Sequence, residues 1–205
     1  MSDYNQIYKN DKIVWGREPE ALIKKALNFL EKGATGLDLG CGQGKDSLFL
    51  AKKGFKITAI DLSKEAIEQI QAKIKKNKKL HIETICKNIN DYKIEENKYD
   101  FIIGIDIFQF LTDKKIVNLI KDIKNKLKNN GLIIISSFTI KDPSYKKSNK
   151  KNIKYYFKPK EITNYFKDFE IIYYFEGIIK DSGHAGFPRL HKHGVVQIIA
   201  RKIKS

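Results

Sequence analysis

The chain has 205 residues, at the upper end of ordinary single-domain size, and 41% of them are hydrophobic, which is enough to bury a full core. We expect one domain over residues 1–205. No long apolar run occurs and the first five residues are polar, so we expect a cytoplasmic protein without a signal peptide, a membrane span or a membrane partner. Cys41 and Cys86 lack the paired spacing of a zinc site or disulfide framework, which predicts free thiols.

The formal net charge of +16 raises the question of a polyanionic partner. Almost all basic residues are Lys, whereas Arg, the usual choice for bidentate recognition of phosphates and bases, occurs only at Arg17, Arg189 and Arg201. The densest basic stretch, residues 141–160, carries four aromatic residues that could stack on RNA bases: Tyr145, Tyr155, Tyr156 and Phe157. The scattered Lys residues favour a solvated surface, and we expect no specific nucleic-acid partner.

Hydrophobic periodicity and capping residues predict that strands and helices alternate over the first two thirds of the chain. In chain order, the predicted elements are a helix over 19–31, a strand over 36–39, a helix over 45–53, a strand over 55–60, a helix capped by Ser63, strands over 80–86 and 99–105, a helix capped by Thr112 and a strand over 132–135. This alternation predicts an α/β fold with a doubly wound, mostly parallel sheet.

The last third of the chain has a different pattern. A short helix near 159–166 is followed by strands over 170–175 and 195–201 with no helix between them. The predicted loop between these strands contains four glycines: Gly177, Gly183, Gly186 and Gly194. Two successive strands without a crossover predict an antiparallel hairpin at the sheet edge, which brings the sheet to seven strands.

A glycine-rich turn follows the first predicted strand and opens the next helix, where an open α/β sheet binds its ligand. Its glycines, Gly40, Gly42 and Gly44, permit positive φ angles and a close approach of the ligand. The spacing is Gly-x-Gly-x-Gly, and Lys45 stands where the dinucleotide-binding fingerprint has its last glycine. The spacing therefore argues against a pyrophosphate cradle.

Two acidic residues flank this turn in the predicted sheet. Asp38 precedes it from within the first strand, and Asp61 ends the second strand, where its carboxylate can accept hydrogen bonds from both hydroxyls of a ribose. Asp61 could instead serve as a negative charge at the start of the helix capped by Ser63. Asp38 could likewise be a buried residue that bonds to loop amides, and the sequence leaves these alternatives open.

Read together, residues 37–44 (LDLGCGQG) and 51–61 (AKKGFKITAID) resemble the first two motifs of the class I S-adenosylmethionine-dependent methyltransferases. The similarity extends to the tellurite-resistance (TehB-like) branch through residues 8–17, 99–103 (YDFII), 108–111 (FQFL) and 200–202 (ARK). It covers nearly the whole chain. The resemblance implies a Rossmann-like fold, methyltransferase activity and S-adenosylmethionine as the cofactor.

The resemblance also implies which residues hold the cofactor. The family pattern puts Asp38 and the glycines around the methionine part, Asp61 on the ribose, and Asn88 and the Ile89 amide at the adenine. The positions that it assigns to the cofactor are Asp38, Gly40, Cys41, Gly42, Gly44, Asp61, Leu62, Asn88, Ile89 and Ile105. Asn88 replaces the usual Asp, although its side-chain oxygen accepts the same hydrogen bond, and a plain loop-turn Asn is the alternative.

The methyl acceptor is less well defined by the sequence. We expect His184, Arg189 and Arg17 to form the acceptor site, with residues 1–17 as a possible lid in which Tyr8 and Trp15 either contact substrate or only pack. Asp106 would lie near the transferred methyl group, and Phe108 is expected in the core. The expected acceptor is a small molecule, such as a tellurium or selenium oxyanion or a thiol.

Alternatives to this interpretation remain. His184, His191 and His193 could bind a metal ion, but only Asp181 stands near enough in sequence to complete a site, and we expect no metal. An RNA or other nucleic-acid methyltransferase would use the same cofactor motifs, but residues 106–109 (DIFQ) lack the prolines typical of base-methylating enzymes. A non-catalytic S-adenosylmethionine-binding regulator or a nicotinamide oxidoreductase is a further possibility.

Overall fold

The computed structural model describes residues 4–10, 13–147, 152–181, 183 and 189–203. In this part of the chain the α-helices are α1 (Tyr4–Asn10), α2 (Ala21–Ala26), α3 (Lys45–Lys52), α4 (Lys64–Lys76), α5 (Asp113–Lys126) and α6 (Glu161–Tyr165). The strands are β1 (Thr35–Leu39), β2 (Lys56–Asp61), β3 (Ile82–Cys86), β4 (Phe101–Ile105), β5 (Leu132–Phe138), β6 (Phe169–Asp181) and β7 (His191–Lys202). No helix of the described residues is long and apolar enough to cross a membrane.

The seven strands form one sheet in the order β3-β2-β1-β4-β5-β7-β6. Strands β1 to β5 pair parallel with one another, whereas β7 pairs antiparallel with both β5 and β6. The predicted doubly wound sheet with a C-terminal antiparallel hairpin is therefore confirmed. The direction of winding reverses between β1 and β4, so the carboxyl ends of these two strands border the crevice in which such sheets bind ligands.

Helices cover both faces of the sheet because the strands are apolar on both sides. The residues of β4 from Phe101 to Gly104 are all buried, and two separate clusters of buried side chains form the core on the two faces. Ser63 caps α4 as predicted, with its hydroxyl oxygen accepting from the Ala66 amide at 3.2 Å. Thr112 is the N-cap residue of α5, but its side chain makes no capping hydrogen bond.

The predicted boundaries are wrong in two regions of the chain, the first helix of the predicted set and the C-terminal hairpin. The helix expected over 19–31 is shorter, because α2 ends at Ala26 and a 3-10 turn, Leu27–Phe29, follows. The hairpin strands are longer than predicted: Gly177 and Gly194 lie inside β6 and β7, and only residues 182–190 connect the two strands. Gly194 serves close packing, since a Cβ there would lie 2.2 Å from the backbone nitrogen of Asp142.

Candidate functional site

The glycine-rich turn lies at the carboxyl edge of the sheet, between β1 and α3. Gly40, Gly42 and Gly44 all have positive φ angles, of 75°, 51° and 75°. The amides of Gly40 and Cys41 donate to the Ile60 carbonyl of β2 at 2.8 and 2.9 Å, which fixes the turn against the neighbouring strand. The residues predicted to bind the cofactor's methionine part thus adopt the strained backbone that glycine permits. Cys41 and Cys86 are both free thiols, as predicted.

Asp61 holds this turn by hydrogen bonds from its carboxylate. One of its oxygens accepts from the Gly42 amide and the other from the Ser63 amide, both at 2.8 Å. Each carboxylate oxygen has a second lone pair, so the two bonds leave acceptor capacity for a ligand. Burial raises the pKa of Asp61 above its usual value, and the backbone hydrogen bonds partly oppose this shift.

Asp38 is buried under the turn, with 4% of its surface exposed, and accepts a hydrogen bond from the Ser47 hydroxyl at 2.6 Å. Burial is the main cause, and the negative charge of Asp46 the next, of a pKa raised to about 7. Its carboxylate is therefore costly to ionise in the absence of a positively charged neighbour. A cationic ligand in the crevice would relieve this cost.

The raised pKa of Asp38 implies that the stability of the folded protein depends on pH. The folded state binds the Asp38 proton more tightly than the unfolded state, so the stabilisation is present at pH 4 and is lost as the pH rises through 7. Asp38→Asn keeps an oxygen for the Ser47 hydroxyl but cannot ionise. We expect the free energy of unfolding of this variant, without ligand, to exceed that of the parent protein by about 1–3 kcal/mol at pH 8 and to match it at a pH of about 3.5, below the pKa of an unfolded Asp.

Urea unfolding at the two pH values measures this difference. Asp91→Asn, on an exposed loop, is the matched control and should leave the pH dependence of the parent protein unchanged. A pH dependence of unfolding that is identical in Asp38→Asn and the parent protein would show that Asp38 does not hold a proton in the folded state.

Asp106 lies at the carboxyl end of β4, across the crevice from the turn. Its backbone has a φ of 52°, a conformation uncommon outside glycine. Taken over all its atoms, Asp106 is exposed to solvent. The protein atoms around its carboxyl group reduce its hydration and, together with the charge of Glu20, raise its pKa to about 7. With Asp38 and Asp61 it gives the crevice an acidic lining in a protein of net charge +16, which fits a positively charged ligand.

The residues predicted at the adenine lie next to the end of β3. The side-chain oxygen of Asn88 accepts from the Asn90 amide at 3.0 Å and from the Asn90 side-chain nitrogen at 2.7 Å. Asn88 therefore closes a local turn, as in the alternative considered for it. To accept a hydrogen bond from a ligand, its side-chain oxygen would have to give up the bond from the Asn90 side chain. Leu62 is 53% exposed, and Ile89 is buried. Ile105, at the end of β4, is half-buried.

The N-terminal segment packs over the glycine turn. Tyr8 is 5% exposed, accepts a hydrogen bond from the Trp15 indole at 3.0 Å, and its hydroxyl lies 3.0 Å from where a Cβ of Gly42 would be. The buried Val14 donates its amide to the Gln43 side chain at 2.8 Å. In α1, Asn5 accepts from the Ser63 hydroxyl at 2.6 Å, so hydrogen bonds hold the segment both at Asn5 and at Val14.

Three residues that hold this segment were not singled out in the sequence: Asn5, Gln43 and Gln69. Gln69 donates to the Tyr8 carbonyl at 2.8 Å. Their partners lie 26 to 61 residues away, and isolated amide side chains carry no spacing signal that could have indicated these contacts. The aromatic residues of the segment were the only signal of a covering element.

The residues predicted for the acceptor site are only partly described. Arg17 and Arg189 are both exposed, and His184 lies outside the described residues. Phe108 is fully buried and belongs to the core, as expected. The predicted histidine loop is corrected by the structure: His191 and His193 lie in β7 and not in a loop.

Asp142, which follows β5 and has 3% of its surface exposed, was also not predicted from the sequence. Its carboxylate accepts from His193 Nδ1 at 2.9 Å and from the Gly194 amide at 3.1 Å, and the His193 ring stacks on Phe138 at 4.8 Å between ring centroids. An Asp followed by Pro143 is a recognisable turn signal, but the contact joins residues 51 positions apart. The edge of the sheet therefore carries an ordered His–Asp pair beside the crevice.

A glycine turn off β1, an acid ending β2 and this strand order define the class I S-adenosylmethionine-dependent methyltransferases. Comparison with known protein families matches residues 9–184 to the family described as "Tellurite resistance protein TehB". The chain belongs to the TehB family.

Individual relatives agree with this result. The "Probable S-adenosyl-L-methionine-dependent methyltransferase TehB" of Haemophilus influenzae is 36% identical over 99 residues, which are 48% of this chain and 34% of the relative. The crystal structure of TehB from Haemophilus influenzae has a TM-score of 0.77 at 28% identity and covers 89% of this chain and 62% of the other.

A solved S-adenosylmethionine-dependent methyltransferase of Methanosarcina mazei has a TM-score of 0.72 at 23% identity, covering 92% and 100% of the two chains, and supports the fold alone. The match with the curated relative spans about a third of that protein's length.

Proposed function

We propose that this chain transfers the methyl group of S-adenosylmethionine to a small acceptor, either a tellurium or selenium oxyanion or a thiol. The observation that carries the proposal is the N-terminal segment packed over the glycine turn, with Tyr8 buried against Gly42. A site covered in this way suits a small acceptor better than a macromolecule. The family description, which refers to tellurite resistance, supports the oxyanion as one candidate.

The residues of the crevice fit the cofactor by charge. S-adenosylmethionine carries a sulfonium and an ammonium group, and buried carboxylates such as Asp38 are stabilised as anions by nearby positive charge. Asp38 and the turn 40–44 would hold its methionine part, and Asp61 its ribose hydroxyls. The adenine would lie among Leu62, Asn88, Ile89 and Ile105.

When bound, the cofactor supplies an activated methyl group, so the protein's main task is to hold the acceptor in line and to exclude water. Arg17 and Arg189 would neutralise an oxyanion acceptor. For a thiol, His184 would take up the proton, since an ordinary imidazole titrates near neutral pH. Asp106, with its pKa raised to about 7, is a second group that can accept this proton at its carboxylate oxygen.

The basic stretch at 141–160 gives little support to an RNA substrate. Two of the aromatic residues considered for base stacking, Tyr156 and Phe157, are 7% and 0% exposed, because they pack into the protein. We therefore propose that binding of nucleic acids is weak, sequence-independent and strongly reduced by salt, as expected of scattered Lys residues.

A screen of tellurite, selenite and small thiols tests the proposed acceptor class. We expect methyl transfer to at least one of them. His184→Ala, Arg189→Ala and Arg17→Ala should each lower the rate about tenfold or more, equivalent to about 1.4 kcal/mol, while affinity for the cofactor stays nearly intact.

Arg201→Ala is the matched control for the arginine variants, because Arg201 pairs with Glu170 at the far end of the hairpin. It should leave the rate unchanged. Full activity in all three acceptor-site variants would mean that these residues do not contact the acceptor, whereas methylation of RNA in preference to every small acceptor would overturn the proposed substrate class.

A further inference from the structure

Asp181, His191 and His193 come together at the end of the hairpin. Asp181 is the last residue of β6 and pairs directly with His191, the first residue of β7, while His193 lies two positions further along the same strand. Side chains two residues apart in a strand share one face of the sheet. The pairing thus places two imidazoles and a carboxylate on one face, although Asp181 and His191 are ten positions apart in sequence.

The distances within this cluster are short. One potential ligand atom of each residue lies within 4.8 Å of the other two, and His191 Nε2 is 3.6 Å from Asp181 Oδ2. In a tetrahedral zinc site with bonds of about 2.0–2.1 Å, the ligand atoms are about 3.3 Å apart. The carboxylate and His191 are therefore already near the required separation, and modest side-chain rotation would bring in His193.

Hydrogen bonds at the opposite ring nitrogens orient both imidazoles. His191 Nδ1 lies 2.8 Å from the Arg189 carbonyl, which can only accept, so Nδ1 carries the proton. His193 Nδ1 donates to the buried carboxylate of Asp142 at 2.9 Å. In each neutral ring the lone pair is then on Nε2, and a carboxylate or carbonyl behind the ring is the usual partner of a metal-binding histidine.

We propose that Asp181, His191 and His193 bind one divalent transition-metal ion of the zinc type through the two Nε2 atoms and the Asp181 carboxylate. Two imidazoles and one carboxylate suit Zn²⁺, Co²⁺ or Ni²⁺ better than Mg²⁺ or Ca²⁺, which prefer all-oxygen sites. Three protein ligands leave the fourth position of a tetrahedral site open. This proposal departs from the expectation of no metal, because strand pairing places Asp181 directly opposite His191.

The site lies beside the crevice but does not depend on the proposed methyl transfer. The first residues of β7 lie next to the end of β5, since Val195 pairs with Phe138, and β5 neighbours β4, which leads into Asp106. The negative charges of Asp106 and Asp181 also act on His193, which favours a cation there. Metal binding can therefore be tested on the protein without cofactor or acceptor.

Titration of the metal-free full chain with Co²⁺ and Zn²⁺, followed by the visible absorption of bound Co²⁺ and by calorimetry, tests the proposal. We expect one ion per chain with the absorption of a four-coordinate Co²⁺ site. His191→Ala, His193→Ala and Asp181→Asn should each weaken binding at least tenfold.

His81→Ala is the matched control, because His81 is an exposed histidine just before β3, and it should leave metal binding unchanged. Circular dichroism checks that each variant is folded. If His193→Ala does not fold, Asp181→Asn, which changes a residue at a strand end, still tests the proposal. No stoichiometric binding, or equal binding in the folded variants and the parent protein, would overturn the proposal and leave the cluster as an ion-pair network.

Discussion

Asp61→Ala should weaken the binding of S-adenosylmethionine by about 1.5–3 kcal/mol, because it removes charged acceptors proposed to bind two ribose hydroxyls. The same substitution leaves the amides of Gly42 and Ser63 without the carboxylate that accepts from them, so we also expect a lower melting temperature. Calorimetry of the folded variant measures the loss of affinity separately from the loss of stability.

Asp100→Ala is the matched control for Asp61→Ala. Asp100 also accepts a backbone amide, that of Thr35 at 2.8 Å, but it precedes β4 at the opposite edge of the sheet. It should lower stability and leave affinity for the cofactor intact. Unchanged affinity in a folded Asp61→Ala protein would rule out the ribose assignment.

Gly40→Ala should destabilise the fold by about 3 kcal/mol, since two costs add at this position. The residue has a φ of 75°, and an added Cβ would lie 2.7 Å from Cδ1 of Ile107. The turn can accommodate the methyl group only by shifting, so we also expect affinity for S-adenosylmethionine to fall at least tenfold. Chemical denaturation and calorimetry measure the two effects.

Two further variants separate these costs. Gly33→Ala introduces the same side chain at a φ of 79° with no atom within 4 Å of the new Cβ, so it should cost about 1 kcal/mol, from the backbone alone. In Gly40→Ala combined with Ile107→Ala, the steric cost should be smaller relative to Ile107→Ala by itself, because only the Cβ of residue 107, at 3.1 Å, still crowds the new methyl group. If Gly40→Ala is no more destabilising than Gly33→Ala, the turn is not packed against Ile107 as described.

The mostly parallel sheet, its C-terminal hairpin and the glycine-rich turn could be predicted from the sequence because their signals are local. An apolar strand such as β4 and the turn 40–44 carry their information within a few residues. Membership of the TehB family confirms the interpretation drawn from residues 37–61. Helix ends were less certain, as in α2, where a 3-10 turn replaces the expected last turns.

The hairpin shows where local signals are misleading. Gly177 and Gly194 are typical loop residues, yet both are within strands, and Gly194 is required by the close approach of the backbone at Asp142. A contact between residues 52 positions apart has no periodicity that a sequence pattern could display. The glycines were therefore misinterpreted as marking a long loop.

The same limitation applies to the acceptor side. The pairing of Asp181 with His191 and of His193 with Asp142 depends on strand register, which the sequence does not specify once the loop length is wrong. Asp38 could be singled out because it stands beside the glycine turn in sequence, and Asp61 because it ends the next predicted strand. Arg17 and Arg189, in contrast, have only their charge to support a role.

Thermal unfolding in the presence of S-adenosylmethionine, S-adenosylhomocysteine and NAD tests the cofactor assignment most directly. A ligand at 100 times its dissociation constant stabilises the folded state by about 2.7 kcal/mol, which corresponds to a rise of roughly 5–10 °C for a chain of this size. We predict such a rise with the first two ligands and none with NAD. Stabilisation by NAD without stabilisation by S-adenosylmethionine would contradict the assignment of the crevice.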